Sequence, residues 1–312
     1  MSTKASRISQ PLGIASTLIC LMIAVVRGGN PVAIKLVLQS LPPMQGASIR
    51  VAIGCASVGI IGLVRGEDLR PRWREVGPLA SLSVVYAVQI SAMQVGSDLT
   101  SPLFVAILFN TYPIIANLTS SFFVPEDRLN PRRAIGLAVA FAGMAWVFSA
   151  RTESVLAPNP VVGNALILFA ATLLGMRMVY TRQFVLRVPY ARAVFWPMVG
   201  SLPLFLLGDA ALADGMVRSE STWETWVALA YQGIVVGGAG QLAWVYLLRK
   251  HTPGTVIAFS FLTPISGVAQ GAAYFDEPVP TPLVTGLAAV LAGIALAAKS
   301  APPVRRSDRT GA

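Results

Sequence analysis

AIGLAVAFAGMAWVF, residues 134–148, carries no charge and no two-residue alternation of polar and apolar side chains. A strand of a spanning barrel would alternate over about ten residues, whereas an unbroken apolar run is what a helix in hydrocarbon requires. Stretches of the same character extend on both sides of it, separated by short charged or proline-bearing breaks. With 54% hydrophobic residues, 12% charged residues and a mean hydropathy of +0.66, the chain lies outside the range of soluble domains, and its solvent is a bilayer. At about 20 residues per helical crossing, the pattern predicts ten spans, near 12–33, 44–64, 78–97, 101–124, 131–149, 161–181, 190–208, 224–248, 252–275 and 280–298. The expected fold class is an all-α integral membrane protein. The apolar run behind Lys4 and Arg7 shows no small-x-small cleavage pattern and is read as the first span.

The opening stretch has an echo. GLAVAFAG (136–143) returns as GLAAVLAG (286–293), and Gly13 returns as Gly163, both at a shift of 150 residues. At a shift of 151, SPLFVAILFNTYP (101–113) meets TPGTVIAFSFLTP (252–264), which pairs Pro102 with Pro253 and Pro113 with Pro264. The acidic loops PEDRLNP and DEPVPTP precede the two glycine-rich helices. The organisation predicted is a tail at 1–11, a five-helix repeat at 12–149, a second at 161–298 and a basic tail at 299–312. Because five is odd, the second repeat enters the membrane from the opposite side, the inverted duplication on which secondary transporters build alternating access.

The net charge of +10 would suggest nucleic acid as partner in a soluble protein, but its distribution decides otherwise. With the N-terminus inside, 18 of the 24 basic residues fall on the cytoplasmic side, which predicts both termini cytoplasmic and a lipid bilayer, not nucleic acid, as partner. Arg151 and Arg218 lie opposite, while Arg27, Lys35, Arg50 and Arg177 fall in spans or at their ends.

GNPVAIKL followed by LPP and Arg50, the YP…PEDRLNPRRAIGLAVAFAG block and its echo TP…DEPVPTPLVTGLAAVLAG together resemble the EamA-type proteins of the drug/metabolite transporter superfamily. The resemblance covers about residues 12 to 298. It implies a ten-helix exporter of metabolites or amino acids, multi-pass in the cell membrane, bacterial inner or plasma. In that family the position before GGN and the one before MVYT commonly hold tryptophan. Here they hold Arg27 and Arg177.

Arg27 and Arg177 are equivalent positions of the two halves, each about 15 residues, roughly 20 Å, into its span. An isolated arginine there costs at least about 2.5–3.5 kcal/mol. Either the pair snorkels or braces the fold, or it faces a central cavity and holds an anionic group of a small-molecule substrate. Gly28, Gly29, Asn30 and Pro31 break the first helix, so that stretch lines a cavity or else ends the helix with Lys35 in the head groups. Asn30, Gln89, Asn110, Tyr180, Gln241, Trp244 and Gln270 complete the expected substrate-binding set, with interhelical hydrogen bonding as the competing role. Trp196, Tyr112 and Phe261 are further candidates for an apolar cavity wall. Pro31, Pro113 and Pro264 are candidate hinges or static kinks. Gly136 with Ala140, Ala289 with Gly293 and Gly233 with Gly237 form packing seams open also to a homodimer.

No acidic residue falls inside a span, so a buried carboxylate relay is not expected, and exchange or facilitated diffusion is favoured over proton antiport. Cys20 and Cys55 read as small apolar residues, and His251 stands alone in a turn. With no catalytic set, no metal ligands and no phosphate loop, neither enzyme nor cofactor is expected. The function predicted is a transporter, in the export direction, of small organic metabolites. The alternatives are an exporter of lipophilic or cationic compounds and, from another class, a membrane-embedded enzyme or scaffold.

Overall fold

The computed structural model of the chain describes residues 14–123, 131–149, 156–185, 188–212, 220–241, 243, 247 and 262–298. Among the described residues there are ten helical rods and no β-strand. The first half supplies α1 (Ile14–Gly28 and Asn30–Ser40, with Gly29 between), α2 (Pro43–Val64) and α3 (Trp73–Leu99). It continues with α4, made of Pro102–Leu108, a 3-10 turn at Phe109–Thr111 and Tyr112–Phe123, and α5 (Pro131–Ser149). The second half supplies α6 (Pro160–Val185), α7 (Tyr190–Leu212) and α8, which is α-helical over Trp223–Ala230 and π-wound over Tyr231–Ala239. It closes with α9 (Leu262–Phe275) and α10 (Thr281–Ala298).

By length and composition five helices suffice to cross a membrane: Ile14–Ser40, Pro43–Val64, Trp73–Leu99, Pro160–Thr181 and Ala191–Ala211. Ten were expected. Pro102–Ala116, Ala134–Val147 and Thr281–Gly293 are apolar but shorter, and α8 and α9 run into residues outside the described set.

The halves interlock by exchange. α1 packs on α9 while α6 packs on α4; α3 packs on α6 while α8 packs on the second segment of α1; α3 meets α7 while α8 meets α2. α2 with α7, α4 with α9 and α5 with α10 are pairs of like with like. Swapping the halves maps this pattern onto itself. Small residues set the closest approaches: a Cβ on Gly293 of α10 would lie 2.5 Å from the Ala140 nitrogen and the Gly136 oxygen of α5. The seams expected on these two helices therefore close on each other within one chain.

Proline chemistry explains the break in α4. Pro113 has no N–H, so the Phe109 carbonyl takes the N–H of Tyr112 instead, which winds that turn as 3-10. The Leu108 carbonyl thereby loses its usual donor, and the Thr111 hydroxyl replaces it at 2.6 Å. At the other end of the first half, α2 stops in a Schellman motif: Gly66 adopts φ +66°, Glu67 N–H reaches the Gly62 carbonyl at 2.9 Å, and Gly66 N–H reaches Leu63 at 2.9 Å. That turn delivers Glu67 and Asp68 to the start of α7.

Candidate functional site

Tyr86 lies midway along the 27-residue α3, the depth at which a membrane's interior is driest. The Arg177 guanidinium stands 4.8 Å from the centre of its ring, within cation–π range. Arg177 sits past the midpoint of α6, and helical side chains lean toward their helix N-terminus, so the cation is drawn back toward mid-depth. Arg50, on the second turn of α2, is only 9% exposed, and its Nη1 has no hydrogen-bond partner among the described residues. Gln89, three residues beyond Tyr86 and on the same face of α3, is buried with its Oε1 unmatched among the described residues. Gln94 is fully buried beside Gly46, and both its amide atoms lack partners among the described residues. Leaving a buried polar atom unmatched costs about 1–3 kcal/mol, so several along the α2–α3 contact mark a place built for something other than packing.

The equivalent arginine behaves reciprocally. Arg27 Nη2 donates to Gln241 Oε1 at 3.1 Å, so the first-helix arginine of each half reaches the third helix of the other. Around it the kink of α1 is dressed by side chains from the second half. Gln270 Nε2 donates to the Val25 carbonyl at 3.0 Å and to Ser266 Oγ at 2.6 Å, while the Tyr231 hydroxyl donates to the Val26 carbonyl. Gln232 Nε2 donates to the Ala33 carbonyl at 3.0 Å. Gly28 meets Gly267 so closely that a Cβ there would lie 2.8 Å from the Gly267 nitrogen. Asn30 Oδ1 is buried without a partner among the described residues, and Pro31 is buried in the first turn after the kink.

The remaining expected residues are dispersed. Asn110 Nδ2 turns back to the Ala106 carbonyl of its own helix at 2.7 Å. Tyr180 is 44% exposed. Pro113 is half-buried just after the 3-10 turn, and Pro264 is buried in the first described turn of α9. Trp244, Phe261 and His251 lie outside the described residues. Cys20 and Cys55 are buried and free. Among the described residues no group of three potential metal ligands occurs.

Two further buried cations close the ends of the assembly. At one end Arg192 donates through Nη1 to both carboxylate oxygens of Glu75, at 3.1 and 3.0 Å, and through Nη2 to Asp68 Oδ2 at 2.7 Å. Its Nε and Nη2 also reach the Asp68 carbonyl at 3.0 and 2.9 Å. Trp196, expected on a cavity wall, instead donates its indole N–H to the Leu69 carbonyl at 2.7 Å. At the other end Lys35 Nζ donates to the carbonyls of Ser97, Asp98 and Thr100 at 3.1, 3.0 and 3.1 Å, and to that of Leu156. The ammonium is buried against helix and loop ends, not in head groups. Arg50 and Tyr86 were not singled out as binding residues, although a midspan tyrosine and an arginine inside a span were visible signals.

The sequence pattern of the EamA-like transporter family matches twice, over residues 15–149 and 161–299. The chain is 25% identical over 286 residues to the uncharacterized transporter YvbV of Bacillus subtilis, covering 90% of each chain. It is 26% identical over 293 residues to a probable amino-acid metabolite efflux pump of Salmonella typhimurium, covering 88% of this chain and 92% of that one. A protein crystal structure superposes with a TM-score of 0.65 at 19% identity, over 91% of this chain and 97% of the other, a likeness of fold.

Proposed function

The chain belongs to the EamA-like transporter family, and from that premise we propose that it exports small organic metabolites by alternating access between two inversely inserted five-helix halves. Ten crossings with both termini cytoplasmic complete the reading. The observation that carries it is the reciprocal reach of Arg27 to Gln241 and of Arg177 to Tyr86. It brings polar groups of both halves together at a depth where hydrocarbon would reject them. Export is supported by the efflux pump of Salmonella among the similar proteins.

In this reading the Arg192 cluster closes the cytoplasmic side, and opening requires its ion pairs to part while α1, α4 and α9 flex at Pro31, Pro113 and Pro264. Among the described residues the buried acids are Glu75, in the first turn of α3, and Glu277, just after α9, while Asp209, in the last turn of α7, is half-buried with its Oδ1 sealed off and unmatched among the described residues. None of the three stands at mid-depth, which favours exchange or facilitated diffusion over proton coupling.

The test is reconstitution of the full chain in liposomes loaded with a bacterial small-metabolite extract, with loss of each metabolite followed by mass spectrometry. Selective depletion relative to protein-free vesicles is expected. Equal retention in both would defeat the proposal.

A further inference from the structure

We propose that Arg50 and Arg177, from opposite halves and gathered about Tyr86, form a site for the oxyanion group of a small organic anion. The assignment rests on the transporter reading above and adds to it a charge selectivity. Arg50 is the anchor: it is 9% exposed, its Nη1 is buried without a partner, and it makes no ion pair among the described residues. A guanidinium in that condition has every reason to take a carboxylate or phosphate, whose paired oxygens match its forked N–H groups. Arg177 stands over the Tyr86 ring at 4.8 Å, a cation–π contact that holds its charge beside the ring.

Gly46 of α2 packs against Gln94 of α3, and one turn further along α2 Arg50 faces α3 about one turn back, toward Gln89 and Tyr86, where Arg177 also stands, so the two positive charges share one neighbourhood. Like charges brought together in a poorly screened layer repel each other, and an anion between them relieves both. The same field turns away cationic compounds, which makes the site a filter as well as an anchor.

The full-length protein in detergent micelles is titrated with N-acetyl-L-leucine against N-acetyl-L-leucinamide, and with glycerol 1-phosphate against glycerol, while the thermal unfolding midpoint is followed. At least one anion raises the midpoint and its neutral counterpart does not; which anion does so separates carboxylate from phosphate substrates. Arg50→Gln and Arg177→Gln weaken the apparent affinity for that anion by about tenfold or more. Arg50→Lys, which keeps the charge but not the fork, falls between, and it carries the test should the Gln variant fail to fold. Arg70→Gln, an exposed loop arginine, leaves the titration unchanged and controls for net charge.

Equal stabilisation by anion and neutral partner, or by none of the four probes, overturns the assignment. Such a result together with selective metabolite loss from the liposomes removes the anion site alone. Absence of that loss removes the transporter reading.

Discussion

Arg192 at one end of the assembly is 2% exposed and closes on two carboxylates; Lys35 at the other is 6% exposed and closes on four neutral carbonyls. The first sets a guanidinium against carboxylates; the second gathers backbone carbonyls around an ammonium. Arg192 belongs to α7, Asp68 to the α2–α3 connection and Glu75 to the first turn of α3, so that cluster ties one half to the other. Lys35 ties α1 mainly to the end of α3 and the turn into α4, within its own half. A buried ion pair is strong only as a complete set, since a lone remaining charge in a dry place is worse than none. Carbonyls released from an ammonium have water to turn to at a helix end. In the export cycle we propose, the Arg192 end, which joins the two halves, is the one that parts.

This contrast fixes an order of effects. Arg192→Ala is expected to cost about 3 kcal/mol, because it strands Glu75, whose side chain is 11% exposed, and reversible unfolding in mixed micelles measures it. Adding Glu75→Gln to that variant restores part of the loss. Lys35→Met is expected to cost less, about 1–3 kcal/mol; the reverse order would break the comparison. Opening is sharpened by a probe: with Cys20 and Cys55 replaced by alanine, a cysteine at Leu69, now half-buried beneath Trp196, reacts faster with a water-soluble maleimide in Arg192→Ala. In Lys35→Met its rate is unchanged. The smallest effect falls between the ends: Thr111→Val removes the one hydroxyl that repairs the α4 break, at a cost of about 1 kcal/mol.

The helical character, the two halves and the proline breaks were open to a reader of the sequence because each is a local property: hydropathy, repetition and a missing N–H. Arg27 and Arg177 were likewise found by their spacing. Partners were not, since no periodicity says that residue 27 meets residue 241 or that residue 177 meets residue 86. For Lys35 the sequence leaves a cavity exit and a head-group anchor both open, and it counts Arg192 as one more cytoplasmic-side charge, because such a count weighs a cation's side of the membrane but not its depth. The π-wound part of α8 left no trace in composition: YQGIVVGGA reads as ordinary apolar helix.

That winding has a use for the engineer. A π turn holds more residues than an α turn for nearly the same advance, so Tyr231–Ala239 contains slack that the straight α3 lacks. Shortening this stretch by one amino acid lets it relax into regular winding with Gln241 still aimed at Arg27, whereas the same excision before Tyr86 in α3 swings the ring through about 100° and away from its cation.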